Sequence, residues 1–173
     1  MLSQNIQNAF NEQINKELYS EYLYLSMEAY MRTLDLDGFG NYFHVQTQEE
    51  HFHALKMYNF VLEREGKIIL KKLEAPPSDF KSVIDIFEQT LKHEKMITKS
   101  INDLMDIAVK ENDHAAVSFL KWFVDEQVEE EATVSKILSK LKLIGGEGHG
   151  MLMMDSELAQ RKFNVPISAE ENA

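Results

Sequence analysis

Four long segments of this chain carry apolar residues at seven-residue spacing and contain almost no helix breakers. They cover about residues 4–34, 39–65, 79–110 and 114–143, and turn-forming residues separate them. A seven-residue spacing keeps side chains on one face of an α-helix. Four helices with one apolar face each bury those faces by packing against one another. The sequence therefore predicts an all-α fold with a four-helix bundle.

The connection between the second and third helices, residues 67–78, is long for a bundle. It contains Ile68-Ile69-Leu70, which are apolar but lack helical periodicity, and it ends in two prolines and Ser78. We expect either an extended crossover along the bundle or an edge that pairs with another subunit. Ser78 or Asp79 is a suitable N-cap for the third helix.

The length of 173 residues is that of a single domain, expected over 1–173. The bundle is expected at about 4–143. A short fifth helix is expected at about 150–162, followed by a tail over 163–173.

Composition limits the classes of function. The chain has 29 acidic and 18 basic residues, for a net charge of −11, which argues against nucleic acid or an anionic membrane as partner and favours cations. It contains no cysteine, which excludes disulfides, thiolate metal sites and cysteine nucleophiles. There is no apolar run long enough for a membrane helix and no signal-peptide pattern at the start, so we expect a cytoplasmic protein.

The seven-residue rows are clearest in the third and fourth segments. The main row of the third segment is Phe80, Phe87, Glu94, Ile101 and Ala108. The companion row expected beside it is Ile84, Leu91, Thr98 and Met105. The fourth segment pairs a row of Ala116, Phe123, Glu130, Ile137 and Ile144 with a row of Leu120, Gln127, Val134 and Leu141.

Each of the four apolar rows is interrupted once by a carboxylate, and these residues are Glu17, Glu50, Glu94 and Glu130. His53 follows Glu50 by three positions. An isolated buried carboxylate costs several kcal/mol or takes up a proton, so four in one core require cations. Glutamate oxygens and a histidine nitrogen suit Fe, Mn or Zn. The alternative, misassigned surface glutamates, fits poorly with one mid-helix glutamate in every segment.

The motifs around these glutamates resemble those of the bacterial non-haem ferritins over nearly the whole chain. They are Asn11-Glu12-Gln13-Ile14-Asn15-Lys16-Glu17 with Tyr24, Glu49-Glu50-His51-Phe52-His53-Ala54, Lys92-His93-Glu94, and the run from Trp122 to Glu131. The arrangement is also similar to the general pattern of ferritin-like di-iron carboxylate bundles. The resemblance implies a ferritin-like four-helix bundle with a long crossover between helices 2 and 3 and a short C-terminal fifth helix.

By this resemblance, Glu17, Glu50 and His53 are expected to hold one iron. The second iron is expected at Glu50, Glu94 and Glu130, with Glu50 as the bridge. The resemblance implies a ferroxidase, with these five residues, Gln127 and Tyr24 as its catalytic residues.

Two further residues are expected beside the pair of irons. Gln127 is expected as a polar neighbour. Tyr24 is expected as a hydrogen-bonding or electron-donating residue. From the sequence alone, a purely structural tyrosine, buried in the core with its hydroxyl hydrogen-bonded, is an equally good interpretation. Bacterioferritins carry Glu-x-x-His where this chain has Gln127-x-x-Glu130, and a haem-ligating methionine where it has His51. The resemblance therefore implies the haem-free branch.

The fourth segment also carries a dense acidic run, from Asp125 to Glu131. Such a run is usually a solvated face, and its like charges one turn apart destabilise the helix slightly. The resemblance instead implies a third iron site beside the di-iron centre, formed by Glu49, Glu126, Glu129 and Glu130.

By the same resemblance, the chain is expected to form a homo-oligomer of about 24 subunits, a hollow cage of cubic symmetry. The crossover is expected to pair across a two-fold axis and the fifth helix to line the four-fold axes. The implied function is oxidation of Fe(II) by O2 or H2O2 and storage of the Fe(III) mineral. Met151, Met153 and Met154 are expected at a subunit interface. The remaining histidines are expected to be surface or packing residues without a metal role, and they are His44, His93, His114 and His149.

Three alternatives remain open at this point. The first is a peroxide-reducing di-iron enzyme of the rubrerythrin type, which the lack of cysteine and the single histidine in the apolar rows disfavour. The second is a mini-ferritin that protects DNA, which the fifth helix and the lack of a basic tail disfavour. The third is a non-enzymatic helical scaffold that binds structural cations.

Overall fold

The computed structural model describes residues 2–164, which form five helices and, in that range, no strand. The helices are α1 (Gln4–Thr33), α2 (Asp37–Glu63), α3 (Val83–Lys110), α4 (His114–Leu143) and α5 (Gly148–Leu158). α1 packs chiefly against α2 and α3 against α4, while α1 also contacts α3 and α5 lies on α2. The expected all-α four-helix bundle, with a long crossover and a short fifth helix, is confirmed.

Two apolar clusters fill the bundle, one toward each end. The first contains Tyr24, Phe43, Phe87 and Val134, and the second contains Phe10, Met57, Ile101 and Phe123. Along each of the four long helices, the mid-helix glutamate falls between the stretch that enters one cluster and the stretch that enters the other. The four carboxylates therefore form a polar layer between two apolar layers.

The apolar rows expected for α4 are buried except at Ile144, which is partly exposed. In α3 the main row is also buried, but the prediction of the companion row was wrong. Ile84, Leu91, Thr98 and Met105 are only partly buried, and the buried row lies one position earlier, at Val83, Thr90, Ile97 and Leu104. That side of α3 faces α1, where the Thr90 hydroxyl lies 3.5 Å from the Met27 sulfur.

The N-terminus of α3 also differs from the expectation. α3 begins at Val83, not near residue 79, because the Ser82 hydroxyl accepts a hydrogen bond from the Asp85 backbone N–H at 3.1 Å. Ser82 is therefore the N-cap, in place of Ser78 or Asp79. Phe80 precedes the helix but is still buried.

The crossover is extended, as expected, and α1 holds it through two asparagine side chains. The Asn11 amide donates to the Lys67 carbonyl at 2.9 Å, and its oxygen accepts from the Ile69 N–H at 2.6 Å. Asn15 repeats the pattern one helical turn later, with the Ile69 carbonyl at 3.0 Å and the Lys71 N–H at 2.7 Å. Side chains thus supply partners that a neighbouring strand would otherwise give these backbone groups.

The fifth helix occupies Gly148–Leu158 rather than 150–162. Met151 and Met154 are buried in the first apolar cluster of their own subunit, so the expectation of a subunit interface was wrong for them. Met153 is 64% exposed on the opposite face.

Of the tail expected over 163–173, residues 165–173 lie outside the described part of the chain. The assignment of residues 1–173 to one domain stays a prediction. Within residues 2–164, no helix has the length and apolar composition needed to cross a membrane.

Candidate metal centre

The layer at the middle of the bundle brings together the four glutamates expected from the sequence. Glu17, Glu50, Glu94 and Glu130 come from α1, α2, α3 and α4 in turn and are between 1% and 7% exposed. Each occupies a core-facing position that the seven-residue rows give to apolar residues elsewhere. Four helices therefore each contribute one carboxylate to a site that solvent barely reaches.

Three of the expected ligands meet closely enough to hold one cation. Glu17, Glu50 and His53 each offer a ligand atom, and these atoms lie within 4.8 Å of one another. His53 Nδ1 is 3.6 Å from Glu50 Oε2, as the i,i+3 spacing on α2 allows. Glu17 Oε2 and Glu50 Oε2 are buried and have no hydrogen-bond donor. Buried carboxyl oxygens without donors beside an imidazole fit a divalent cation such as iron.

Glu94 and Glu130 lie outside that trio, and amide and phenol groups orient them. The Tyr24 hydroxyl donates to Glu94 Oε1, and Gln127 Nε2 donates to Glu94 Oε2 at 3.3 Å. Gln46 Nε2 donates to Glu130 Oε2 at 3.0 Å. Hydrogen bonds from neighbouring side chains thus fix the orientation of both carboxylates. Ligating carboxylates in metal sites are commonly oriented by such hydrogen bonds.

The electrostatics of the layer favour either protons or cations. Burial, followed by the charges of Glu17, Glu94 and Glu130, raises the pKa of Glu50 well above its usual range. Burial and the Glu130 charge raise the pKa of Glu94 to about 8. Burial lowers the pKa of His53, which keeps its imidazole neutral and its lone pair available. A cation that binds here must therefore displace protons from the carboxyl groups.

Glu17 is oriented by a relay that the sequence reasoning missed. Gln13 Nε2 donates to Glu17 Oε1 at 2.8 Å, and Gln13 Oε1 accepts from the Ser100 hydroxyl at 2.5 Å. Lys16 Nζ in turn donates to Ser100 Oγ. Gln13 is one helical turn before Glu17, and this spacing was the signal that could have identified it.

Tyr24 and His93 lie together at the edge of the layer. Burial, followed by the charge of Glu94, raises the pKa of Tyr24 well above its usual range. His93 packs edge-on to Tyr24, with ring centroids 5.9 Å apart. Its Nε2 is 2.7 Å from Ser20 Oγ, and burial lowers its pKa to about 4. The expected packing role of His93 is confirmed.

The other histidines, including His51, are exposed. His44 Nδ1 is 3.1 Å from Glu28 Oε2. His114 and His149 are exposed.

The residues expected for a third iron site lie outside the close group formed by Glu17, Glu50 and His53. Glu49 and Glu126 are partly buried and Glu129 is exposed. Burial, partly opposed by Arg161, raises the pKa of Glu49 to about 7, and the charges of Glu130 and Glu126 add to the rise. Burial, followed by the charge of Glu129, raises the pKa of Glu126.

Arg161, which the sequence reasoning also missed, pairs with Glu49 at 2.6 Å between Nη2 and Oε2. This ion pair could not be inferred from spacing, because the two residues are far apart in the sequence. The carboxylate expected to hold iron is thus paired with a cation of the protein itself.

The bundle, the long crossover and the carboxylate layer define a ferritin-like protein. A family model described as the ferritin-like domain matches residues 7–144, and the chain belongs to that family.

Among curated relatives, the chain is 41% identical to the bacterial non-heme ferritin of Campylobacter jejuni, with 99% of this chain and 100% of that protein covered. It is 37% identical to the bacterial non-heme ferritin of Staphylococcus aureus (strain MRSA252), over 95% of this chain and 99% of that one.

Solved structures agree in fold. One is an engineered closed form of the Archaeoglobus fulgidus ferritin, 46% identical, with a TM-score of 0.92 over 95% of this chain and 100% of that chain. Another is a humanized archaeal ferritin, 45% identical, with a TM-score of 0.94 over the same shares of the two chains. The expected resemblance to bacterial non-haem ferritins is confirmed.

Proposed function

We propose that this protein stores iron and acts as a ferroxidase, with oxidation of Fe(II) at the carboxylate layer. The observation that carries the proposal is the pair of buried oxygens, Glu17 Oε2 and Glu50 Oε2, that lack donors and lie beside the neutral His53. Similarity to ferritins over nearly the whole chain supports the storage function. Iron is thus both the substrate and the cargo.

The proposed di-iron centre uses the five buried ligands in two sets. Glu17, Glu50 and His53 bind one Fe(II), and Glu50, Glu94 and Glu130 bind the other. The coupling of the Glu50 charge to the other three glutamates supports Glu50 as the shared ligand.

Each Fe(II) gives up one electron. O2 that takes two electrons and two protons leaves as H2O2, and H2O2 that takes two electrons and two protons leaves as two water molecules. Anionic oxygen ligands are hard donors and favour the Fe(III) state.

Tyr24 and Gln127 are proposed to position Glu94 for this step. Both donate hydrogen bonds to its carboxylate, so they fix its oxygens relative to the second iron. A carboxylate without these donors would rotate more freely and bind iron less tightly.

Iron oxidised at the centre is proposed to move to a third site at Glu49, Glu126 and Glu129, with Glu130 shared between the two. The charges of Glu130 and Glu126 raise the pKa of Glu49, and the charges of Glu129 and Glu130 raise the pKa of Glu126, which supports the closeness of these residues. From there Fe(III) hydrolyses, releases protons and joins a mineral.

The mineral is proposed to lie inside a homo-oligomeric cage of about 24 subunits with closed symmetry. Solved ferritin structures of Archaeoglobus fulgidus are described as an open pore form and an engineered closed form, and their fold matches this chain closely. The expected contacts of the crossover at a two-fold axis and of α5 at the four-fold axes belong to this proposal. A cytoplasmic location stays a prediction.

Sedimentation of the purified protein after aerobic addition of Fe(II), with protein and iron read together, tests the storage function. We expect a particle of about 480 kDa, from about 24 chains of 20.1 kDa, that carries iron far beyond a few atoms per chain. A small oligomer with about two irons per chain would instead identify a di-iron redox enzyme of the rubrerythrin type. Metal binding without O2 consumption would identify a structural scaffold.

Oxidation kinetics test the ligands. Glu17→Ala and His53→Ala should slow the fast phase of Fe(II) oxidation by at least about tenfold, since each removes a ligand of one iron. Glu63→Ala, which changes an exposed glutamate at the end of α2, is the matched control. Rates equal to wild type in both ligand variants would contradict the assignment.

A further inference from the structure

Arg161, which lies outside the four-helix bundle, forms an ion pair with the Glu49 carboxylate. Its Nη2 lies 2.6 Å from Glu49 Oε2, and its Nη1 donates to the Tyr42 backbone carbonyl at 3.2 Å. The guanidinium carbon is 4.5 Å from the centroid of the Tyr42 ring. The two paired side chains are 24% and 22% exposed, so water screens this ion pair only in part.

The backbone around Arg161 is fastened to α2 on both sides of the ion pair. The Asn41 side-chain amide donates to the carbonyls of Leu158 and Arg161, each at 3.0 Å. Two residues further on, the Phe163 ring centroid is 6.3 Å from that of Phe52. The guanidinium is therefore presented to Glu49 by an ordered segment that follows α2.

Apart from Arg161, the residues with the strongest electrostatic effect on Glu49 are acidic. Glu130 and Glu126 both act on it electrostatically, and each is part of the proposed third iron site. A divalent cation at that site would share the Glu49 carboxylate with Arg161, whose Nη2 holds Oε2. It would also meet the positive guanidinium at short range. Iron and Arg161 are therefore competitors for the same carboxylate.

We infer that Arg161 is a tethered cation that holds Glu49 while the third site is empty and must turn away before iron binds there. The inference rests on the third site of the proposed function. It makes residues 159–164, which the fold attaches to α2, part of the route by which iron leaves the di-iron centre. Transfer is then limited by the release of Arg161 as well as by the affinity of the acidic residues.

The test is a count of bound Zn²⁺, used alone as a probe without redox chemistry, on the metal-free assembly at pH 7.5. Arg161→Gln removes the charge but keeps a hydrogen-bond donor in the side chain. Arg161→Lys keeps the charge. Lys162→Gln removes an exposed positive charge from the neighbouring position and is the matched control. Sedimentation confirms that each variant assembles, and Arg161→Met replaces Arg161→Gln if the latter does not.

We expect equilibrium dialysis to show a third Zn²⁺ per chain that binds at least about tenfold more tightly in Arg161→Gln than in wild type. Arg161→Lys and Lys162→Gln should resemble wild type. The double variant Glu49→Gln, Arg161→Gln should lose this gain in affinity for the third Zn²⁺, because it lacks the Glu49 carboxylate that the Arg161 change makes available.

Equal affinity for the third ion in wild type and Arg161→Gln would overturn the inference. The same gain in Lys162→Gln, or a gain that persists without the Glu49 carboxylate, would also overturn it. The first two Zn²⁺ ions report separately on the di-iron centre. If Glu50→Gln leaves their binding unchanged, the proposed function fails, whereas normal binding of these two ions without a gain at the third rejects only the role of Arg161.

Discussion

Glu94 shows how one buried carboxyl group couples protonation to metal binding. It is 1% exposed, accepts hydrogen bonds from Tyr24 and Gln127, and has a pKa raised to about 8 by burial and by Glu130. Near neutral pH the metal-free layer therefore retains protons that an exposed glutamate would have lost. Iron binding at this layer should release these protons.

The stability of the metal-free protein should fall with rising pH because of Glu94. The pKa of Glu94 is raised from 4.5 to about 8 in the folded state. Its contribution to stability is therefore complete below pH 4.5 and is lost progressively as the pH rises to about 8. Glu94→Gln cannot ionise, so between pH 5 and 8.5 the variant should gain on the order of 1–4 kcal/mol relative to wild type. Urea unfolding in the presence of a chelator measures this difference.

Glu63→Gln, which changes an exposed carboxylate, should follow the wild-type pH profile. Parallel profiles for Glu94→Gln and wild type would show that Glu94 does not titrate in this window. Added Zn²⁺ should reverse the order of stability, since it favours the ionised layer.

The burial of the proposed ligands Glu17, Glu50, Glu94 and Glu130 was predictable because each interrupts an apolar row at mid-helix. The residues that orient them were not, because nothing in the spacing shows that Gln46 on α2 reaches across to Glu130 on α4. The pairing of Arg161 with Glu49 could not be predicted from the sequence at all. Its partner depends on how the segment after α5 lies along α2, and no local pattern encodes that path.

The crossover depends on α1 in a way that its own sequence does not reveal. Ile68-Ile69-Leu70 indicated an extended segment, but the partners of its backbone are Asn11 and Asn15, which are buried polar residues on α1. Each asparagine serves one donor and one acceptor of the crossover. Spacing was also insufficient for the companion row of α3. It identifies the buried face of the helix, but it does not show on which side of the main row the second buried row lies.

Asn11→Ala should detach the first part of the crossover from α1. The change leaves the Lys67 carbonyl and the Ile69 N–H without their partners and should lower the free energy of unfolding by about 1–3 kcal/mol. Hydrogen exchange should show faster exchange at the Ile69 amide. Asn8→Ala, at an exposed asparagine of the same helix, is the control, and an equal loss of stability in both variants would contradict this role.

The contact between α2 and α5 depends on a residue without a side chain. A Cβ at Gly38 would overlap the carbonyl oxygen of Asp155, whose carboxylate also accepts from the Phe39 N–H at 3.0 Å. Gly38→Ala should push α5 away and destabilise the protein by about 1–3 kcal/mol. Gly40→Ala meets only the flexible Arg32 side chain, at 3.2 Å, and should be tolerated. Urea unfolding compares the two, and equal stability would show that the close approach is not required.

At the scale of the whole molecule, a subunit with a net charge of −11 must still present apolar surface if it is to assemble. α5 does so asymmetrically. Met151 and Met154 face the core of their own subunit, while Leu152 and Met153 are 61% and 64% exposed. Exposed apolar residues side by side are typical of a surface that another protein covers. We therefore expect this face of α5 to contact a neighbouring subunit of the proposed cage.

Leu152→Glu combined with Met153→Glu should open the assembly without unfolding the subunit, because both side chains point away from the core. Sedimentation velocity should show a shift from about 480 kDa to small oligomers, while circular dichroism retains the helical content. Ser156→Glu adds a charge at another exposed position of α5 and should leave the large particle intact. A double variant that still sediments at full size would place the contacts between subunits elsewhere. In that case the exposed face of α5 would not be what holds the cage together.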